Sequence, residues 1–326
     1  MTISALASCN DAPVQKSEPQ QLDVRHETLS REPLAILPDP PALDPKLVAL
    51  GRRLFHDKRL SSDDTVACAT CHDLAHGGVD GKSHSAGIKG QLGGVNAPTV
   101  YNSGLNFVQF WDGRAKDLEE QANGPVTNPL EMGTSWEKVL PKLRADNAYP
   151  AAFGELFPDG ISSLNARRAI AAFERTLITK NSPFDRWLGG DQNALSAEQK
   201  AGYELFKGIG CIACHQGQNV GGNMYQRFGV FGDYFKDRGH ITEADYGRFN
   251  VTHSESDRFV FRVPSLRNVE RTAPYFHDGS TPTLTQAVGV MAKYQLGRTL
   301  SDEQVSSLVA FLKSLSGDVP PGAEAT

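Results

Sequence analysis

Apolar positions along this chain recur mostly at helical rather than alternating intervals, and the helices they predict come as two matching pairs. Asp44 can cap a helix with Pro45 in its first position, and Leu47, Leu50 and Leu54 follow at helical spacing. That helix ends in Gly51-Arg52-Arg53-Leu54-Phe55. Far downstream, Ser196 and Gln199 form a capping-box pair that opens a helix containing Gly202-Tyr203-Glu204-Leu205-Phe206. Each opening helix has a closing partner. In the first, Ile170, Phe173 and Leu177 line one face; in the second, Val305, Leu308, Val309, Leu312 and Leu315 do, with Ser301 as N-cap and Gly317 just past the end. Strand signals are few, so the predicted class is mainly α with long ordered loops.

The repetition includes chemistry. Each opening helix leads into a pentad, Cys68-Ala69-Thr70-Cys71-His72 and then Cys211-Ile212-Ala213-Cys214-His215. Two cysteines three apart can add to the two vinyl groups of one haem, and the following histidine then lies under the iron. A bare C-x-x-C could be a zinc half-site or a redox dithiol, but those need further paired cysteines or a βαβ context, and neither is present. The pentads therefore predict two covalently bound haem c groups on two tandem cytochrome c-like domains. Their bounds are read as 42–185 and 186–326, with the border near Asn181 to Gly190, where glycine and aspartate gather. Residues 1–41 read as a tether or arm, rich in proline, glutamine and charge.

The fifth cysteine, Cys9, stands in Leu6-Ala7-Ser8-Cys9, which resembles the bacterial lipoprotein cleavage box. No basic or long apolar region precedes it, and the expectation is a lipid anchor at Cys9 whose leader lies outside this sequence, the alternative being a spare thiol. Haem attachment of this kind places the protein in the periplasm. The net charge of −5 and the lack of a basic stripe argue against nucleic acid as a partner. No apolar run approaches the ~20 residues needed to cross a bilayer.

Distal ligands decide between an electron carrier and a catalyst, because a haem with an open face can bind peroxide or oxygen. For the second haem, Met291 is the best sixth ligand; the alternative is ordinary core filling. Between the first pentad and its closing helix run Gly94-Val95-Asn96-Ala97-Pro98-Thr99-Val100-Tyr101-Asn102, Phe110-Trp111-Asp112-Gly113-Arg114, then Gln121 and Asn128-Pro129-Leu130-Glu131-Met132. With Arg262-Val263-Pro264-Ser265-Leu266-Arg267-Asn268 and Thr272-Ala273-Pro274-Tyr275-Phe276-His277-Asp278-Gly279, this order resembles the bacterial di-haem cytochrome c peroxidases, from about Leu50 to Gly317. The methylamine-dehydrogenase maturase MauG shares the architecture.

The resemblance implies that peroxide reacts at the low-potential His72 haem, with Glu131 as the distal carboxylate that moves a proton between the two oxygens and Gln121 as a distal amide. It implies Trp111 as an aromatic between the haems, with domain packing as the plainer reading. It also implies a calcium ion held by Asn96, Thr272 and Pro274, a set of oxygen donors that suits calcium. The expected activity is reduction of hydrogen peroxide to water, with electrons from a small cytochrome c or cupredoxin entering at the high-potential His215/Met291 haem. A homodimer is expected by analogy alone. The competing readings are a MauG-like oxidase acting on a partner protein, in which a tyrosine replaces the methionine ligand, and a non-catalytic carrier. Tyr294, three residues beyond Met291, is the rival ligand here.

One departure stands out. Many of these peroxidases carry a histidine in a Ser-x-Gly-His setting that caps the oxidised peroxidatic iron. Here the run is Ser85-Ala86-Gly87-Ile88, and isoleucine cannot bind iron. His84 and His76 are read as polar loop residues, so the expected resting site is uncapped.

Overall fold

The computed structural model describes residues 32–323, of which 33–323 belong to one compact unit. Eight helices of six or more residues occur among the described residues: α1 (Pro45–Phe55), α2 (Trp136–Arg144), α3 (Tyr149–Leu156), α4 (Ser163–Thr176), α5 (Pro183–Leu188), α6 (Ala197–Ile209), α7 (Leu284–Val290) and α8 (Asp302–Lys313). The only sheet among these residues has two short antiparallel strands, β1 (Tyr225–Arg227) and β2 (Val260–Arg262), with Tyr225 opposite Arg262. The protein is mainly α, as the pattern predicts.

The predicted caps form. Asp44 accepts the Lys46 amide at 2.8 Å ahead of α1, and full capping boxes open α6 at Ser196 and α8 at Ser301. These caps satisfy amides that the first helical turn leaves without partners. The opening helices then cross the closing helices at glycine. A β-carbon on Gly51 of α1 would lie 1.8 Å from the Ala169 carbonyl oxygen and 2.9 Å from the Phe173 β-carbon of α4. On Gly202 of α6 it would lie 1.9 Å from the Ser307 oxygen and 2.9 Å from the Phe311 β-carbon of α8. The same contact is therefore built twice.

Two main cores surround these crossings. The first joins Leu54, Phe55, Ile170, Phe173 and Leu177 to Val139 and Leu143 of α2 and Tyr149 and Phe153 of α3. The second gathers Phe184, Tyr203, Phe206, Leu308, Phe311 and Leu315, with the Phe184, Tyr203 and Phe311 ring centroids 5.0–5.4 Å apart. Val305 and Val309, expected on the buried face of α8, are only half-buried; Phe311 takes their place in the core.

Packed residues lie on both sides of the expected bounds. The stretch 181–190 holds helix α5, capped by Ser182 with Pro183 in its first turn, and Phe184 and Leu188 lie in the second core. The end of the predicted arm is also packed: Leu34 joins the second core, and Leu37 is 3% exposed. A parallel bridge pairs Leu34 with Gly217, and Ala323 near the other terminus joins the first core. The apolar run Leu34-Ala35-Ile36-Leu37 makes that packing favourable. Cys9 and the rest of the predicted tether lie outside the described residues.

Replacing either crossing glycine should cost stability, because the blocking atom is a backbone carbonyl that cannot swing aside. Gly51→Ala and Gly202→Ala should each destabilise the haem-loaded protein by about 1–3 kcal/mol or more, read by thermal unfolding. A loss under roughly 0.5 kcal/mol would mean that the helices part without strain.

Candidate active site

Cys68 and Cys71 begin and end a one-turn helix, and Cys211 starts a 3₁₀ turn. In both pentads the histidine makes the same contact. His72 Nδ1 lies 3.3 Å from the Gly78 carbonyl and His215 Nδ1 lies 3.3 Å from that of Val220. Facing an acceptor, each Nδ1 carries the proton, which leaves Nε2 as the free lone pair that iron requires. Burial lowers the pKa of both imidazoles, that of His215 to about 4, so both are neutral. Burial also pushes the Cys68 and Cys71 thiols up, and the Cys211 thiol to about 11.

A largely apolar cleft occupies the second half. Cys211, Cys214 and His215 line it together with Met291, Leu308 and Leu312. Asn96, Trp111, Thr272 and Pro274 line the same cleft, so eight of the candidate ligand and site residues meet in one place. Met291 follows α7 where the helix widens into a π-turn, Met291–Gln295. Tyr294 is held elsewhere: its hydroxyl donates to Asp237 at 2.9 Å and accepts from Lys293 at 2.8 Å, and its ring packs on Tyr234.

Glu131 stands beside the first pentad. The Asn128 side-chain amide donates to its Oε1 at 2.6 Å. Burial raises its pKa, opposed by the Arg114 charge and by that hydrogen bond, and its own charge reaches the Cys68 and Cys71 sulfurs. Backbone bonds from Met132 to Pro125 and from Thr134 to Val126 fold the segment back on itself, with Gln121 at the end of the preceding turn. Gln121 and Glu131 share no hydrogen bond.

The loop after the first pentad lies against Glu131. The Ile88 amide donates to the Glu131 carbonyl at 2.8 Å, and a β-carbon on Gly87 would fall 2.0 Å from the Leu130 oxygen. The Ile88 side chain is 6% exposed, within the first core and against Gly133. His76 is exposed and paired with Asp73 at 2.7 Å, and His84 is half-buried.

The duplication reaches further into the loops than the helices and pentads reveal. An offset of 166 residues relates Asn102 to Asn268 and Phe110 to Phe276, all four at positive φ, and also relates the bridge Gln109–Ala115 to Tyr275–Thr281. In this register Trp111 corresponds to His277 and Asn96 to Arg262. The two halves exchange amides through these residues: Asn96 N donates to the His277 carbonyl and Arg262 N to the Trp111 carbonyl, both at 2.8 Å. Met291 corresponds to Pro125, which has no donor atom for iron.

Reading the sequence alone passed over Glu174 and the junction around His277. Glu174 is 4% exposed on α4, its Oε2 has no hydrogen-bond partner, and burial raises its pKa to about 8. His277 Nε2 lies 2.7 Å from Asp245, which also accepts from Arg238 at 2.6 Å. The signal for His277 was its repeat match to Trp111; nothing in the sequence marked Glu174.

Two helix pairs, two C-x-x-C-H turns with oriented histidines, and a methionine across one cleft define a di-haem c-type cytochrome. Residues 45–193 match the family model described as di-haem cytochrome c peroxidase. The chain is 50% identical over 291 residues to cytochrome c peroxidase Ccp of Escherichia coli, spanning 89% of this chain and 62% of that protein's length. It is 48% identical to cytochrome c551 peroxidase of Nitrosomonas europaea, spanning 84% of this chain and 81% of that protein. The crystal structure of a MauG-like protein associated with microbial copper homeostasis superposes with a TM-score of 0.73 at 28% identity, covering 92% of this chain and 96% of that one. The chain belongs to the di-haem cytochrome c peroxidase family, whose members carry two covalently bound haem c groups.

Proposed function

We propose that this protein reduces hydrogen peroxide to water in the periplasm, taking electrons from a small cytochrome c or cupredoxin. The observation that carries the reading is the asymmetry of two otherwise duplicated sites. Met291 shares a cleft with His215, whereas the corresponding position in the first half is Pro125, which cannot bind iron, and the buried carboxyl of Glu131 stands beside the first pentad. A plain carrier has no use for that carboxyl. A MauG-like oxidase is disfavoured because Tyr294 is tied to Asp237 and Lys293. In this reading the residues divide into a peroxidatic unit around the first core and an electron-transfer unit around the second, with the border in the stretch 181–190.

The haems supply redox-active iron and the electrons that cleave the oxygen–oxygen bond. The chain supplies proton control. Glu131, aimed by Asn128, takes the proton from one peroxide oxygen and returns it to the other, so that water and not hydroxide departs. Its raised pKa brings it closer to the operating pH than an ordinary carboxylate. The Gln121 amide hydrogen-bonds the substrate, and Trp111 lies in the electron path between the halves. A calcium ion, where bound, would be held by Asn96 Oδ1 and the Thr272 and Pro274 carbonyls, the Asn96 Nδ2 being committed to the Lys82 carbonyl at 2.8 Å. A lipid anchor at Cys9 and a homodimer complete the reading.

Three outcomes test it. Glu131→Gln should lower peroxide turnover by about 10²–10⁴-fold and remove the acid limb of the pH profile, while both haems stay attached. Turnover near that of the parent would take Glu131 out of the mechanism. Met291→Ala should abolish the weak sulfur-to-iron band at the red edge of the spectrum and lower the second haem's potential; an unchanged spectrum assigns the ligand elsewhere. Because Ile88 is packed in the first core, the fully oxidised protein should react promptly with one equivalent of peroxide and show a high-spin ferric signal in electron paramagnetic resonance. Two low-spin signals, with no reaction until one electron is added, would point to His84 as a cap.

A further inference from the structure

Two arginines of the Arg262–Asn268 stretch are buried, and they are treated very differently. Arg267 is 1% exposed and fully satisfied: its guanidinium lies 2.9 Å from Asp185 and donates to the Gln218 and Ala35 carbonyls. Arg262 is 3% exposed, and its Nε donates to the Phe110 carbonyl at 3.1 Å. Neither Nη of Arg262 has a hydrogen-bond acceptor among the described residues, and no carboxylate pairs with it. An arginine stays charged at neutral pH, and a buried charge without a counter-ion is costly. Tyr225, opposite it on β1, offers no relief, because its hydroxyl is engaged by Arg248.

The open side of Arg262 is the cleft itself, which it lines beside His215 and Met291. We propose that Arg262 is the cation that binds a propionate of the second haem, and that this pair sets the haem's reduction potential. A propionate is an anion with two oxygens, the geometry that a guanidinium takes in a fork. Its two backbone-directed bonds, N–H to the Trp111 carbonyl and Nε–H to the Phe110 carbonyl, fix the guanidinium against the electron path. The inference rests on haem occupying the cleft and not on the identity of the oxidising substrate. A fixed positive charge disfavours the ferric state, which carries one charge more than the ferrous, so Arg262 holds the potential up.

The test is a spectroelectrochemical titration of both haems in the haem-loaded Arg262→Gln and Arg262→Lys proteins. In Arg262→Gln, the reduced-to-oxidised ratio of the second haem, read at the parent midpoint, should fall about tenfold, equivalent to 59 mV for one electron. The sulfur-to-iron band and the first haem's midpoint should stay in place. In Arg262→Lys, which keeps the charge and loses the Phe110 bond, the ratio should stay within about threefold while the propionate bending mode in the resonance Raman spectrum shifts. An unchanged midpoint in Arg262→Gln overturns the proposal. So does an Arg262→Lys shift as large as that of Arg262→Gln, since potential would then follow the backbone contact and not the charge. Should Arg262→Gln fail to load haem, the Lys variant decides alone: a tenfold shift rejects the pairing, and a retained midpoint with a shifted propionate mode supports it. Peroxide turnover plays no part in these readouts.

Discussion

Each haem site depends on one hydrogen bond, the one from the pentad histidine's Nδ1 to a backbone carbonyl. Without it the imidazole could rotate or present the wrong tautomer, and Nε2 would not be available to iron. The bond in turn depends on where the next loop places its carbonyl. After His215 that loop turns through Gly221 and Gly222, both at positive φ. A β-carbon on Gly221 would lie 2.2 Å from the Pro264 oxygen and 3.2 Å from His215 Nδ1 itself. After His72, Gly77 and Gly78 turn in the same way, against Arg271 and Thr99. Loop glycines, and not the helices, therefore aim the proximal ligands, while the close helix crossings at Gly51 and Gly202 fix the walls around them.

The duplicated frame lets function arise by substitution at matched positions. Methionine stands at one position and proline at the other, 166 residues apart in the register that the matched turns and bridges define, so only one of the two positions carries a sulfur. The matched pairs Trp111/His277 and Asn96/Arg262 lie at the junction, where each half donates an amide to the other. A further buried link, from Asn102 and Asn268 to the Thr179 hydroxyl at 2.8 Å each, joins the same two loops. Polar groups buried in this way must be satisfied to be tolerated. Because each half supplies the partners of the other, neither could leave the junction without stranding them.

Local signals were the legible ones. Asp44, Ser196 and Ser301 each announce a cap through side-chain chemistry within three residues, and the pentads specify their ligand by spacing alone. Ile88 was readable as a residue that cannot bind iron, but not as a core residue seated on Gly133, because that contact joins distant loops. The run from Asn181 to Gly190 was read for its glycine and aspartate. The Ser182-Pro183 start and the Phe184/Leu188 spacing were the stronger signals, and the helix they form belongs to the second core. Leu34 was missed for a related reason: a run of four apolar residues beside prolines looks like linker until a partner, here Gly217, is known. Buried carboxyls such as Glu174 have no sequence signature at all, since burial is a property of the packed helix.

The lining of the second cleft matches a flat apolar group with an anionic edge. Leu308, Leu312 and Val263, none more than 5% exposed, stand in it beside the Arg262 guanidinium and the neutral His215 imidazole. Apolar contact and charge pairing both favour a ligand of that shape. Haem has it, with a face for the leucines, carboxylates for the guanidinium and an iron for the imidazole lone pair. A ligand that binds only the folded state adds its binding free energy to the stability of that state, so haem held here contributes to the stability of this half.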